Sequence, residues 1–226
     1  MRRIVFKNVK NLRDLGGYQT KDNKETKFNS IYRSDLPQNM EENEIKYLLD
    51  NNLKVVIDLR KEEEISRVKN SLNIPEINYY SVNLLGDKCP NEENEISEGY
   101  INIINNKETM YKVFEIIKNE KGGILFNCTA GKDRTGVVAM LLLLLAGCYD
   151  DDIIVDYQVS YTYIRETIRK IHIDNPDLPA FLGGSKLEYM EETLKLFYDK
   201  YKTINNYFKY LGFDDKEIEQ IKSKLV

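Results

Sequence analysis

A chain of 226 residues is long enough for one sizeable domain, and we expect a single domain over residues 1–226. An apolar share of 42% is ordinary for a soluble globular protein with a buried core. The formal net charge of −4 argues against a general nucleic-acid or anionic-membrane binder, so cations that hold an anionic substrate must be concentrated locally.

The first half of the chain alternates strand-like and helix-like segments. Short apolar, β-branched runs predict strands at Phe28–Tyr32, Leu53–Leu59, Ile77–Leu85 and Gly123–Asn127. More polar segments between them predict helices at Glu41–Asp50, Lys61–Asn70 and Lys107–Glu120. Alternation of this kind is typical of an α/β fold in which helical crossovers join parallel strands.

From Thr135 onward the sequence predicts a helical C-terminal part. The apolar run Val137–Cys148 is shorter than the roughly 20 residues that cross a bilayer, so we expect a buried helix and no integral membrane segment. Gly212 predicts a helix end, and Asp214 with Glu217 predicts a capping box. Two more helices are predicted from apolar faces at Ile154, Tyr157, Tyr161, Ile164, Ile168 and Ile171, and at Leu187, Met190, Leu194, Phe197 and Tyr201.

The cysteine and histidine content limits the possible chemistry. The chain has one His and three Cys, none in a C-x-x-C pair, which leaves too few soft ligands for a structural zinc site. An odd number of widely spaced Cys fits a reducing compartment, and the first seven residues hold no apolar core of signal-peptide length. We therefore expect a cytoplasmic location.

The segment Ile124–Val137 carries the strongest functional signal. A buried strand leads into a short polar loop, and an apolar helix leads out of it, so backbone N–H groups and a helix N-terminus converge on an anion site. Cys128 begins this loop and Arg134 follows six positions later. The same positive groups stabilise a thiolate nucleophile, and the arginine fork can bind two phosphate oxygens at once.

The other loop residues fit phosphoryl transfer. The predicted catalytic residues are Cys128, Asp133 and Arg134, with Asp133 as the first candidate for the general acid and Asp87 as the second. Lys132 is expected at the rim of the pocket as a second positive charge, and Thr135 is expected to offer its hydroxyl to the cysteine sulfur. The predicted substrate-binding residues are Thr129, Ala130, Gly131, Lys132 and Thr135.

The segment Cys128–Gly136, Cys-Thr-Ala-Gly-Lys-Asp-Arg-Thr-Gly, resembles the signature loop of the cysteine-based protein tyrosine phosphatase superfamily, in its atypical bacterial and fungal branch. The segments Asn11–Tyr18, Ile31–Asp35 and Val56–Arg60 complete the resemblance. It implies a central, mainly parallel sheet flanked by helices, a phosphocysteine intermediate, no metal, the loop Asp as general acid, and a phosphorylated protein or a phosphoinositide as substrate.

One residue departs from the family pattern. The family usually places His immediately before the catalytic Cys, and this chain has Asn127, which hydrogen bonds but carries no charge. We expect activity to survive with altered thiolate stabilisation. A non-catalytic phosphoryl-binding module is the alternative interpretation, and it predicts phosphate binding without hydrolysis.

A set of charged residues near the predicted strand ends has two interpretations. They either line or brace the phosphate pocket, or form ion pairs that fix the N-terminal segment against the sheet. The set is Arg13, Asp14, Arg33, Asp35, Asp58 and Arg60.

Overall fold

The structure is a computed structural model that describes residues 3–84 and 92–226. Asp87, the second candidate for the general acid, lies outside the described residues. Within the described part of the chain, no helix is long and apolar enough to cross a membrane.

Five strands form one sheet within the described residues, in the order β1-β2-β5-β3-β4. They are β1 (Arg13–Asp14), β2 (Ile31–Ser34), β3 (Leu53–Asp58), β4 (Asn78–Ser81) and β5 (Gly123–Asn127). β1 pairs antiparallel with β2, and the other three pairings are parallel. The mainly parallel sheet is therefore confirmed.

Helices cover both faces of this sheet. Those before the last strand are α1 (Glu42–Asp50), α2 (Glu62–Arg67), α3 (Ile96–Asn105) and α4 (Lys107–Asn119), with a 3-10 turn at Glu93–Glu95. The C-terminal part is helical, as predicted, with α5 (Asp133–Ala146), α6 (Asp150–Asp174), α7 (Leu187–Tyr201), α8 (Ile204–Leu211) and α9 (Asp215–Lys222).

The sheet core is buried on both faces. In β3, Val55 and Ile57 join the apolar cluster around α5, whereas Leu53 and Val56 join the cluster on the α1 side. Such alternation is what a strand between two helical layers requires. Every residue of α5 from Thr135 to Ala146 is buried, so the apolar run is a core helix, as predicted.

Three of the four predicted strands differ from the structure at their ends. The first strand begins at Ile31 instead of Phe28, because Asn29 has a φ of 56° that turns the chain and Phe28 is 56% exposed. Of the predicted strand Ile77–Leu85, the described residues form a strand only at Asn78–Ser81, which is β4 at the edge of the sheet. Gly123–Asn127 and the strand beginning at Leu53 are confirmed, the latter ending one residue early.

The predicted apolar face of α6 is wrong in its second half. Tyr157 and Ile164 are buried, but Tyr161 and Ile171 are each 43% exposed. Tyr161, Ile168 and Ile173 instead line an open groove of about 780 Å³ between this helix and the segment before α7. The helix end at Gly212 and the capping box of Asp214 with Glu217 are confirmed.

Candidate active site

The loop that begins at Cys128 lies at the carboxyl edge of the sheet. Ser34 and Asp58, the last residues of β2 and β3, pair in register with Asn127 at the end of β5. Cys128 follows directly and is buried, and α5 begins at Asp133. The carboxyl edge of a parallel sheet is where ligands usually bind in open α/β folds.

The protein holds this loop from behind through the loop carbonyls. The N–H of Leu36 donates to the carbonyl of Thr129 (3.1 Å), and the Asn11 amide donates to the carbonyls of residues 130 and 131 (3.0 Å each). Arg33 also donates to the carbonyl of Gly131 (2.8 Å). Because C=O and N–H point in opposite directions across a peptide plane, the following N–H groups face away from these anchors.

Those N–H groups are available to an anion. No backbone N–H of residues 129–134 donates to another group among the residues that the structure describes. Several N–H groups converging beside a helix N-terminus form an anion-binding concavity. The loop therefore supplies the donors that a bound oxyanion needs.

Gly131 is required by the shape of this loop. Its φ is +65°, in the left-handed region that favours glycine. A Cβ at this position would lie 2.3 Å from the backbone nitrogen of Asp35 and 2.5 Å from the carbonyl carbon of Ser34. Any side chain here would push the loop away from the sheet edge.

A buried charge cluster lies behind the loop. Arg13 and Arg33 both pair with Asp156 on α6, Arg13 at 2.8 Å, and Tyr18 donates its hydroxyl to the same carboxylate at 2.9 Å. Burial disfavours the Asp156 carboxylate, but the charges of the two arginines outweigh it and hold the pKa of Asp156 well below its usual range. Two guanidiniums against one carboxylate leave one net positive charge beside the Gly131 carbonyl.

The charged residues near the strand ends were predicted either to brace the phosphate pocket or to form ion pairs. Each interpretation holds for part of this set. Arg13 and Arg33 form buried ion pairs, and Arg33 also braces the loop. The Asp35 carboxylate accepts from the N–H groups of Lys10 and Asn11 (2.9 Å each at the shorter contacts) and so positions the Asn11 amide against the loop. Of the remaining three residues, Asp14 accepts from the N–H groups of Gly16 and Asn29, and Asp58 pairs with Arg60 (2.8 Å) at the end of β3.

Arg134 is held by a carboxylate that sequence reasoning missed. Glu64, on α2, binds its guanidinium with two parallel contacts, at 2.7 Å to Nη1 and 2.9 Å to Nη2. The hydrogen bond from Arg134 lowers the pKa of Glu64 to about 2. Burial opposes the Arg134 charge, yet the hydrogen bond to Glu64 and the nearby Cys128 raise the pKa of Arg134 overall. Nε of Arg134 donates to no group in the described ranges, which leaves that edge of the fork for a ligand.

Asp133 and Lys132 lie together on the other side of the loop. The Asp133 side chain is 44% exposed, and its Oδ1 pairs with Nζ of Lys132 at 3.0 Å. The hydroxyl of Tyr100, on α3, donates to the same oxygen, and Tyr157 on α6 bonds to Tyr100 at 2.7 Å. The rim position expected for Lys132 is wrong: its side chain is buried because Nζ is held by Asp133 and by the carbonyl of Gly184 (2.6 Å).

Asn127 directly precedes the cysteine and Thr135 lies in the first turn of α5, and both side chains are buried. Oγ1 of Thr135 is buried with no hydrogen-bond partner among the described groups, so the expected bond to the Cys128 sulfur is not formed here and its role stays a prediction. The Asn127 side chain is fully buried, where its Oδ1 accepts from Asn70 at 3.0 Å. Asn70 also contacts Asp58 (3.3 Å), which ties the start of the loop to the neighbouring strand.

The sequence held a signal for only some of the missed residues. Asp156 stands beside Tyr157 on a helix face predicted to be buried, and a buried charge needs a partner. Tyr100 lies on α3, a helix that was not predicted. Glu64 is one of three successive glutamates, and nothing in the pattern separates it from Glu62 and Glu63.

The residues that the structure describes contain no cluster of three or more His, Cys, Asp or Glu side chains arranged to hold a metal ion.

Comparison with curated proteins finds relatives named as a tyrosine-protein phosphatase and a putative tyrosine-protein phosphatase. A tyrosine-protein phosphatase of Nostoc commune is 28% identical over 194 residues, which is 76% of this chain and 66% of the relative. A protein of Cupriavidus necator is 26% identical over 170 residues, 70% of this chain and 62% of its own length. The chain thus spans slightly less than two thirds of the length of these relatives.

Solved structures and a family description complete the comparison. The core catalytic domain of PP-IP phosphatase SIW14 from S. cerevisiae matches with 20% identity and a TM-score of 0.41, over 77% of this chain and 98% of that one. TpbA from P. aeruginosa matches with 15% identity and a TM-score of 0.34, over 66% and 87%. The description of the tyrosine phosphatase family matches residues 4–226. Because that match covers almost the whole chain, this protein belongs to the tyrosine phosphatase family.

Proposed function

We propose that this protein is a cysteine-dependent phosphatase that hydrolyses phosphate monoesters of the phosphotyrosine type through a phosphocysteine intermediate on Cys128. The observation that carries the proposal is the loop of residues 128–134, whose carbonyls are tied to the protein while its N–H groups are left for an anion. Membership of the tyrosine phosphatase family supports it.

In the first step the Cys128 thiolate attacks phosphorus and a P–S bond forms. The bond between phosphorus and the leaving oxygen breaks, and Asp133 gives its proton to that oxygen. The loop N–H groups and the free edge of Arg134 bind the equatorial oxygens, whose charge they stabilise as it spreads in the transition state.

In the second step a water molecule attacks phosphorus, and the Asp133 carboxylate takes its proton. The P–S bond breaks and inorganic phosphate is released, which returns Cys128 to the thiolate. The unpartnered Thr135 hydroxyl is the group that donates to the departing sulfur. Asp133 thus serves as acid and then as base, and ends the cycle protonated as it began.

Two variants test this mechanism. Cys128→Ser should abolish turnover and keep phosphate binding, because the loop donors remain. Asp133→Asn should lower kcat for an ester with a poor leaving group by about 10²–10⁴-fold, the usual contribution of general acid catalysis. Asp151→Asn, an exposed acid in the first turn of α6, is the matched control and should change kcat little.

Other outcomes select the alternatives. Unchanged turnover in Cys128→Ser rules out the phosphocysteine. Phosphate binding by the wild-type protein without hydrolysis of any ester identifies the non-catalytic phosphoryl-binding module. If Asp87→Asn slows the poor leaving group and Asp133→Asn does not, Asp87 is the acid.

A phosphoinositide is the second candidate substrate, and the groove beside α6 favours it. The groove reaches Gly184, whose carbonyl binds Lys132 of the loop, and its walls are mainly apolar. Apolar lining residues include Val155, Val159, Ile168, Ile173, Phe181 and Leu182. A short-chain phosphoinositide should then be hydrolysed faster than the matching soluble inositol phosphate and a phosphotyrosine peptide; equal rates for the two inositol compounds would argue against the groove.

We also propose a cytoplasmic location. Cys128, the proposed nucleophile, is a free thiol, as expected for a protein in a reducing compartment. Cell fractionation should recover the protein with the cytosol, and recovery from the medium or from membranes would contradict this.

A further inference from the structure

Two donors from different parts of the chain converge on the same oxygen of Asp133. The Tyr100 hydroxyl, from α3, donates to Oδ1, and Nζ of Lys132 pairs with Oδ1 at 3.0 Å. Oδ2 has no partner among the described residues, although nearly half of the side chain reaches solvent. The two carboxylate oxygens are therefore in different environments.

The available hydrogens decide which oxygen can carry a proton. Lys132 has donors only, so a hydrogen on Oδ1 would point at another donor. The single hydrogen of Tyr100 goes to Oδ1, which means that Tyr157 donates to the Tyr100 oxygen and the chain runs Tyr157, Tyr100, Asp133. The position left for the acid proton is Oδ2.

Burial of the two tyrosines fixes the direction of these hydrogen bonds. Burial first, and then the negative charge of Asp133, raise the pKa of Tyr100 well above its ordinary value, and the same causes raise the pKa of Tyr157. Both hydroxyls therefore keep their hydrogens across the working pH range. Among the described residues, the charged or titratable groups that face Asp133 are Lys132 and Arg134 from its own segment, Tyr100 from α3 and Tyr157 from α6.

We propose that Tyr100, supported by Tyr157, is a positioning residue for the general acid: with Lys132 it occupies Oδ1 of Asp133 and so assigns the transferable proton to Oδ2. This inference rests on the proposed function, because it concerns the acid of that reaction. An acid that can present its proton from only one oxygen loses less orientational freedom on reaching the transition state.

The test compares two esters in the full-length protein. Tyr100→Phe keeps the ring but removes the donor, so kcat/KM for phenyl phosphate, a poor leaving group, should fall about tenfold as part of the acid's contribution is lost. For a dinitrophenyl ester, which needs no proton, the change should stay below about twofold.

A double variant distinguishes a positioning role of Tyr100 from a general loss of structure. In Asp133→Asn the further change Tyr100→Phe should have no effect on phenyl phosphate, since it acts only through the acid. Tyr157→Phe should give the same leaving-group pattern more weakly, and it replaces Tyr100→Phe if that variant does not fold. Tyr207→Phe, equally buried with its hydroxyl on the Ile104 carbonyl (3.0 Å), is the control and should leave both rates unchanged.

The outcomes that overturn the inference differ from those that overturn the proposed function. Equal losses for the two esters, or no loss for either, in an otherwise active protein would show that Tyr100 serves packing alone. An additional loss from Tyr100→Phe in the Asp133→Asn background would do the same. Wild-type protein that hydrolyses neither ester refutes the proposed function, and this inference with it.

Discussion

Replacing Asp156 by Asn tests the buried charge cluster behind the loop. The Asp156 side chain is only 2% exposed and accepts from Arg13 at 2.8 Å and from Tyr18 at 2.9 Å, as well as from Arg33. Asparagine keeps one acceptor oxygen but places an NH2 group against a guanidinium. The variant therefore leaves two buried positive charges with no negative partner.

The expected loss of stability is large. Removing one partner of a buried ion pair costs about 3–5 kcal/mol, because the remaining charge stays buried and uncompensated. In a chain of this size about 1 kcal/mol shifts Tm by roughly 2–4 °C, so Tm should fall by roughly 6–20 °C. Solvent screening does not reduce this figure, because Arg13, Arg33 and Asp156 are all almost fully buried.

Chemical denaturation at several pH values measures the effect. The pKa of Asp156 is lower in the folded than in the unfolded protein, so its contribution is present above the unfolded pKa, about 3.9, and is lost as the pH falls further. The difference in unfolding free energy between wild type and Asp156→Asn should therefore be largest near neutral pH and shrink below about pH 4.

A surface pair provides the control for this prediction. Asp150 pairs with Lys21 at 3.3 Å with both side chains substantially exposed, so Asp150→Asn should cost less than about 1 kcal/mol. If Asp156→Asn also costs less than about 1 kcal/mol at neutral pH, the two arginines are compensated in some other way, and the argument that the cluster adds positive charge behind the loop fails.

Two further variants test the loop itself. Gly131→Ala would place a Cβ 2.3 Å from a backbone nitrogen, so phosphate binding by calorimetry and kcat/KM should both be lost. Gly99→Ala is the control and should change neither, because no atom lies within 4 Å of its Cβ. Phosphate binding retained in Gly131→Ala would contradict the loop geometry. Glu64→Gln weakens the hydrogen bonds that hold Arg134, so kcat/KM should fall about tenfold. Glu63→Gln, at an exposed position, is the control and should have no effect. Equal effects of the two variants would show that Glu64 does not position Arg134.

The loop and its flanking elements were predictable because their signals are local. The strand Gly123–Asn127 is apolar throughout, and the helix after Arg134 is apolar on every side, so both had to be buried. A loop between two buried elements has little freedom in where it lies. The anion site therefore follows from composition and order along the chain. Its anchors were less predictable: bracing by Arg33 was one of two interpretations, and the Asn11 side chain had no predicted contact.

The surroundings of the acid were not predictable, because they depend on packing. α3 contains Gly99, three asparagines or serines and several isoleucines, which give weak helix propensity. It is stabilised by burying Ile96, Tyr100, Ile103 and Ile104 against neighbouring helices. A helix that exists through tertiary contacts leaves no clear local signal, so the contact of Tyr100 with Asp133 was out of reach.

The contact of Glu64 with Arg134 illustrates a second limit of prediction from the sequence. Glu64 reaches the guanidinium only because α2 is held at one angle, and Arg60 sets that angle by donating to the carbonyls of Glu64 (3.3 Å) and Val68 (2.9 Å). Arg60 is itself fixed by Asp58 at the end of β3. The charges were visible in the sequence, but the direction in which the helix presents them was not.

Asn127 shows how the site accommodates its departure from the family pattern. The amide accepts from Asn70, whose own amide reaches Asp58, and the charge of Asp58 is balanced by Arg60. The network at the start of the loop therefore carries no net charge, and its member beside Cys128, Asn127, is neutral. Stabilisation of the thiolate then falls to Arg134 and the loop N–H groups, neither of which titrates between pH 5 and 8.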